Sequence, residues 1–184
     1  EIVNLGSCDN VLDEDVSYSC EVLFEDFENN SINIDIIDED NLNCDVSGLN
    51  EENFTLDYRG FKDFFGNASC VIEIDDGFSS QEYGFDVIIN NINDAPVIND
   101  WLPPQSNIRL LDGEEMRFSV NADDVDNDDL FITWYLDNES VSESSSYLFD
   151  KSLGDYSLDV VVSDNKSEAN HIWDVFVGDT GDFS

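Results

Sequence analysis

Positive charge is what this sequence most lacks. Six Lys and Arg stand against 44 Asp and Glu, a formal net charge of -38. Phosphate backbones and anionic membrane surfaces repel such a surface, which excludes nucleic acid as a partner. There is one histidine, His171, so a His-rich zinc site is excluded. That histidine lies in no recognisable nucleophile motif, and there is no Gly-rich phosphate loop. No apolar run is long enough to cross a bilayer, so no direct membrane insertion of this segment is expected. The chain opens at Glu1 without a Met, a charged n-region or an h-region, and reads as a processed product or an excised segment. Helical apolar spacing is nearly absent. Carboxylates for a paired-carboxylate glycosidase abound, but strand-filled domains of this size leave no room for a cleft, and no enzyme is expected.

What is present points to folded β structure. Hydrophobic residues make up 41% and aromatics 12%, enough for a core despite the charge. Val16, Tyr18, Cys20, Val22 and Phe24 alternate with Ser17, Ser19, Glu21 and Leu23, the pattern of a half-buried strand with the first set facing inward. Further strands are predicted over 31–37, 53–58, 68–74, 82–92, 116–120, 131–136, 146–149, 156–162 and 172–177, separated by Asn, Asp, Gly and Ser clusters. Short strands at this spacing indicate sandwiches. The break falls at Asn93-Asp94-Ala95-Pro96-Val97, where proline ends pairing. The reading is all-β: two tandem antiparallel sandwiches, 1–95 and 96–184, joined end to end by a short, rigid joint stiffened by Pro103 and Pro104 beside Trp101.

Four cysteines, Cys8, Cys20, Cys44 and Cys70, fit no Cys-x-x-Cys pattern and are read as disulfides of an oxidising compartment. Sequons at Asn29, Asn53, Asn67, Asn138 and Asn165 point to the same extracellular setting.

The joint, Val87-Ile-Ile-Asn-Asn-Ile-Asn93-Asp94-Ala95-Pro96-Val97, resembles that of the cadherin-like and Ig-like tandem repeats of large prokaryotic surface proteins. Leu12-Asp13-Glu14-Asp15, Asp63-Phe64-Phe65-Gly66-Asn67-Ala68 and Ile74-Asp75-Asp76-Gly77 follow the order of that family over residues 10 to 99. Residues 103 to 177 are similar to Ig-like or PKD-like modules of archaeal surface proteins. The matching pieces are Ala122-Asp-Asp-Val-Asp126, Trp134-Tyr-Leu-Asp137, Gly154-Asp-Tyr156, Val162-Ser-Asp164 and Trp173-Asp-Val175. The resemblance implies a surface-layer, stalk or fibre component with calcium at the sandwich ends. Two departures stand out: Asn127 and Asp128 replace the glycine that often follows the Asp-x-Asp turn, and four cysteines in one domain exceed the usual number.

By parity Cys20 and Cys70 both face the space between the sheets, which suggests a Cys20–Cys70 bridge and leaves Cys8 to Cys44. Three pairings are open to four cysteines, and free buried thiols are the alternative. Candidate calcium ligands are Glu14, Asp75, Asp76, Asn93, Asp94, Asp124, Asp126 and Asp164, because hard cations take six to eight oxygens from converging turns. The competing reading is a solvated acidic face. An EF-hand is rejected: counting from Asp124, the required Gly falls on Asp129 and the bidentate Glu on Tyr135.

Trp134 and Trp173 are expected in the core, and Tyr156 as a corner tyrosine. Trp101 is expected at the joint, wedged between domains or facing a partner. Phe61, Phe64 and Phe65 are expected to plug one end of the sandwich; if exposed, they favour contact with another surface. The partners implied are neighbouring domains or subunits of a surface assembly, or a glycan or protein receptor. Strand addition at sheet edges is a third possibility, with the tail 178–184 read as a frayed end.

Overall fold

The computed structural model describes residues 2–5, 7–25, 31–50 and 52–182. The chain divides into two compact units, Glu1–Ile92 and Asn93–Ser184.

The first unit contains β1 (Ile2–Asn4), β2 (Val11–Asp13), β3 (Ser17–Glu25), β4 (Asn33–Asp40), β5 (Leu42–Ser47), β6 (Asn53–Gly60), β7 (Gly66–Asp75) and β8 (Ser80–Asn90). One sheet runs β1-β3-β6-β5 and the other β2-β8-β7-β4. All pairings are antiparallel except β2 with β8. This is the strand order of an immunoglobulin-like sandwich. Alternation places Cys20, Val22, Phe54, Leu56, Cys70, Ile72 and Ile74 in a core between the sheets. The inward parity of β3 holds from Cys20 to Phe24, whereas Val16 precedes the strand and is exposed.

The disulfides are Cys8–Cys20 and Cys44–Cys70, with Cα separations of 5.1 and 6.6 Å. The expected Cys20–Cys70 and Cys8–Cys44 pairing is therefore corrected. Cys20 and Cys70 do both face inward, but parity fixes only a face. Between β4 and β5 the chain crosses from one sheet to the other at Asn41, which adopts φ 57° and bridges to Ser69. That crossing starts β5 beside β7 and brings Cys44 to Cys70. Cys20 is closed instead by Cys8, from the segment between β1 and β2.

The second unit contains β9 (Val97–Leu102), β10 (Asn107–Leu111), β11 (Met116–Asp123), β12 (Phe131–Leu136), β13 (Glu139–Ser142), β14 (Ser146–Phe149), β15 (Gly154–Ser163) and β16 (Glu168–Gly178). Its sheets are β10-β16-β15-β12-β13 and β14-β11-β9, and β10 lies parallel to β16. Asp137 and Asn138, both at positive φ, make the two-residue turn between β12 and β13. Trp134 and Trp173 are fully buried and stacked, with centroids 5.7 Å apart. The Tyr156 hydroxyl donates to the Ser152 carbonyl at 3.0 Å, the corner role expected of it.

Trp101 corrects another expectation. It belongs to β9, pairs with Val120, and stacks on His171 with centroids 4.3 Å apart, so it packs within the second unit. Gly178 likewise ends β16 and is not part of a frayed tail.

Candidate metal centre

The loop from β11 to β12 carries Asp124, Asp126 and Asp128. It is shaped by its own aspartates: the Asp126 N–H donates to Asp124 Oδ1 at 2.9 Å, the Asn127 N–H donates to the Asp124 carbonyl, and Asn127 takes φ 59°. The turn gathers the alternate carboxylates, so that one oxygen from each of Asp124, Asp126 and Asp128 lies within 4.8 Å of the others.

The segment entering this unit docks on the same region. The Asp94 N–H donates to Asp126 Oδ2 at 2.8 Å. Asn93 Nδ2 donates to Asp164 Oδ2 at 2.9 Å and to Ser167 Oγ at 3.2 Å. Asp164 is only 4% exposed, and its Oδ1 accepts from the N–H groups of Lys166 and Ser167. Those bonds, with that of Asn93, hold its carboxyl below the usual carboxylate range.

Two oxygens here have a specific deficit. Asn93 Oδ1 and Asp124 Oδ2 are buried atoms without a hydrogen-bond donor among the described residues. Buried acceptors left this way are costly, and coordination of a hard cation would relieve either. The donor set is all oxygen, carboxylate and carboxamide, which suits calcium and does not suit the softer transition metals.

Of the predicted ligands, the second unit brings together Asn93, Asp94, Asp124, Asp126 and Asp164. Glu14, in the first unit, is buried; its Oε1 accepts from the Ile92 N–H and its own N–H donates to the Asn90 carbonyl. It thereby fixes the chain after β8. Asp75 and Asp76 sit in the β7–β8 hairpin, Asp75 Oδ1 accepting from the Gly77 N–H at 2.7 Å. Among the described residues neither belongs to a group of three carboxylates. Asp128 was not among the predicted ligands, although the i, i+2 spacing after Asp124 and Asp126 carries it. It is partly neutralised by Lys166 Nζ at 2.8 Å.

The sequons lie in varied settings. Asn29 lies outside the described residues. Asn67, Asn138 and Asn165 are exposed, and Asn53 is half-buried with its side chain bonded to Asn50.

Phe64 packs against the core while Phe61 and Phe65 are exposed, so the aromatic cluster is only partly a plug. Two concavities are open grooves, one lined by Arg109, Asp155, Ser157 and Asp174 and another by Asp40, Ser69 and Asp86. Neither contains a histidine or cysteine beside a nucleophile.

Titration of His171, Asp76 and Asp164 acts in one direction, a loss of stability on acidification, in two separate pH windows. Burial pushes the His171 imidazole below 6.5, with the charge of Asp159 working against that shift. A base whose folded pKa is lowered loses stability as pH falls below 6.5, because the unfolded chain takes the proton first. Asp76 and Asp164, held low by backbone N–H bonds, contribute stability that is present above about 4 and lost as pH falls through their folded values. Exchanging His171→Gln should therefore reduce the loss of second-unit stability between pH 7 and 5 relative to the parent. Urea midpoints across that range would check it; parallel curves would contradict it.

No family model matches the chain, and no curated protein matches it. Similar solved structures include an endo-fucoidan hydrolase, MfFcnA4, of glycoside hydrolase family 107 (16% identity, TM-score 0.43). That match covers 97% of this chain but only 29% of the hydrolase. The fibronectin(III)-like modules of Clostridium thermocellum CbhA match at 12% identity and TM-score 0.40, over 98% of this chain and 95% of theirs. Dpr11 IG1 bound to DIP-gamma matches at 13% and 0.44, over 96% and 99%. At these values the likeness concerns fold alone, and nothing of the site is carried over.

Proposed function

We propose that this chain is a non-catalytic structural module of an extracellular cell-surface protein, of the cadherin-like and PKD-like kind found in archaeal surface-layer, stalk or fibre proteins. Calcium, bound by its second unit, is the cofactor of this reading. The observation that carries it is the pair of buried, donorless oxygens, Asn93 Oδ1 and Asp124 Oδ2, set among aspartates that hold the start of that unit in place. Two disulfides in the first unit support an oxidising location, and among the described residues no helix is long and apolar enough to cross a membrane. Partners are neighbouring domains or subunits of the same assembly.

Calorimetric titration with calcium at high monovalent salt tests this. Saturable binding should raise the second unit's unfolding free energy by about 2.7 kcal/mol at a hundredfold excess over Kd. Asp124→Asn should weaken binding at least tenfold. Absence of saturable binding, or an Asp124→Asn variant that binds as the parent does, would return these carboxylates to a solvated acidic face.

A second reading, adhesion to a glycan or protein on another surface, is favoured by the exposure of Phe61 and Phe65 beside Lys62. Loss of cell or glycan binding in a Phe61→Ser/Phe65→Ser variant would select it. Assembly by strand addition has no comparable observation behind it.

A further inference from the structure

The chain's only histidine, His171, faces the interior of its sandwich. In β16 it pairs with Val160 of β15 and shares the inward parity of Trp173, Val175 and Val177. Its ring touches two indoles. Trp101 of β9 stacks on it at 4.3 Å with an interplanar angle of 27°, and Trp173 meets it edge-on at 4.4 Å and 73°. β9 lies at the edge of the opposite sheet, with β11 as its one neighbour, and its register on β11 shifts at Asn121/Ala122. The Trp101–His171 stack therefore ties an edge strand, paired on one side only, to the facing sheet.

The seated pair leaves two polar atoms unmatched. His171 Nε2 and Trp101 Nε1 are both buried, and neither has a hydrogen-bond partner among the described residues. Each carries a desolvation cost that stacking and apolar burial offset, and opening would return both atoms to water. An imidazolium has a proton on each nitrogen, so charging His171 places an N–H at Nε2, where no acceptor lies. The inward-facing residues around it, Val160, Trp173 and Val120 opposite Trp101, are uncharged. Asp159 of β15 favours the charged ring, but it pairs with the exposed Ile172 on the outer face and accepts from Asn170 Nδ2. Glu168 and Asp174 of β16 stand on that same outer face, and Asp100 of β9 has its Oδ1 engaged by the Trp101 N–H. Indole faces attract a cation, yet burial outweighs them and holds the imidazole below 6.5.

We infer that Trp101 and His171 form an acid-opened latch: seated, they hold the end of β9 across the space between the sheets, and protonation of His171 releases the Trp101 indole to solvent. The opening is local, because the β9–β11 ladder and the bond from Trp173 Nε1 to the Pro103 carbonyl at 2.9 Å keep the rest of the segment in place. β9 is the first strand of the second unit, so the latch makes the seating of that strand depend on pH, closed at neutrality and open in acid. No residue of the candidate calcium site takes part, and the latch stands or falls without calcium.

Tryptophan fluorescence of the full chain with the neutral quencher acrylamide, in chelator, tests this, because Trp134 and Trp173 are fully buried and Trp101 is the indole that the latch exposes. From about pH 8 to about pH 5 the open fraction should rise by up to about tenfold per pH unit, the limit for one proton, while far-ultraviolet circular dichroism stays constant. His171→Gln, which cannot charge, should abolish the rise, and Trp101→Phe should remove the quenchable signal. If His171→Gln does not fold, NMR of the parent supplies the readout: the Trp101 indole N–H should lose its protection from exchange at the pH where the His171 ring protons titrate. A rise that survives His171→Gln overturns the latch. So does quenching that only accompanies unfolding of the whole second unit, or a Trp101 N–H still protected once His171 has titrated.

Discussion

Reduction of the disulfides should unfold the first unit and spare the second. The bridges close loops with sequence separations of 12 and 26, and each contributes ~3 kcal/mol in the chain-entropy picture. A domain of about 90 residues has only about 5–15 kcal/mol of net stability, so losing both removes much of it. All four cysteines lie between residues 8 and 70, and the second unit has none. Denaturant unfolding with and without reductant, followed by near-ultraviolet circular dichroism, should show the first transition collapse to low denaturant while the second stays. Cys44→Ala/Cys70→Ala should reproduce the larger share of that loss. Proteolysis of the oxidised protein should release peptides joined 8 to 20 and 44 to 70; a 20-to-70 species would refute the assignment.

The converse perturbation is Trp173→Ala. Trp173 stacks on Trp134, meets the edge of Phe118 at 5.2 Å, and donates from Nε1 to the Pro103 carbonyl at 2.9 Å. Removing a fully buried indole leaves a large cavity and an unmatched carbonyl, with an expected cost of about 3–5 kcal/mol. Ile172→Ala, one residue away on the exposed face of β16, should change stability by less than about 0.5 kcal/mol. Two-step urea unfolding separates these outcomes: only Trp173→Ala should move the second transition, and neither should move the first.

Long strands with one buried face were legible in the sequence, because alternation over eight or more residues marks both strand and face; β7 and β15 are examples. The sequence reading missed β1, β2, β5, β9, β10 and β13. They are three to six residues long, and a segment such as Val11-Leu12-Asp13 buries a single side chain, too little for a pattern. Trp101 was misplaced for the same reason: β9 follows Pro96 at once and was read as linker. Disulfide pairing was illegible because it depends on where the chain changes sheets, and Asn41 carries no signal of that in an Asn-rich sequence. Among so many carboxylates, composition could not single out Asp124 and Asn93; their distinction is a buried oxygen with nothing donating to it.

The parallel pairs β2–β8 and β10–β16 have a mechanical consequence. In each unit the strand near the entry of the chain runs alongside the strand near its exit, in the same direction. Tension applied through the two ends pulls these partners past one another, so their cross-strand bonds are sheared together instead of being unzipped singly. The second unit sets five residue pairs against such a pull and the first only three. The first unit, once its clamp slips, can pay out less chain, because residues 8–20 and 44–70 are closed covalently. One unit is built to resist the onset of extension and the other to limit its length.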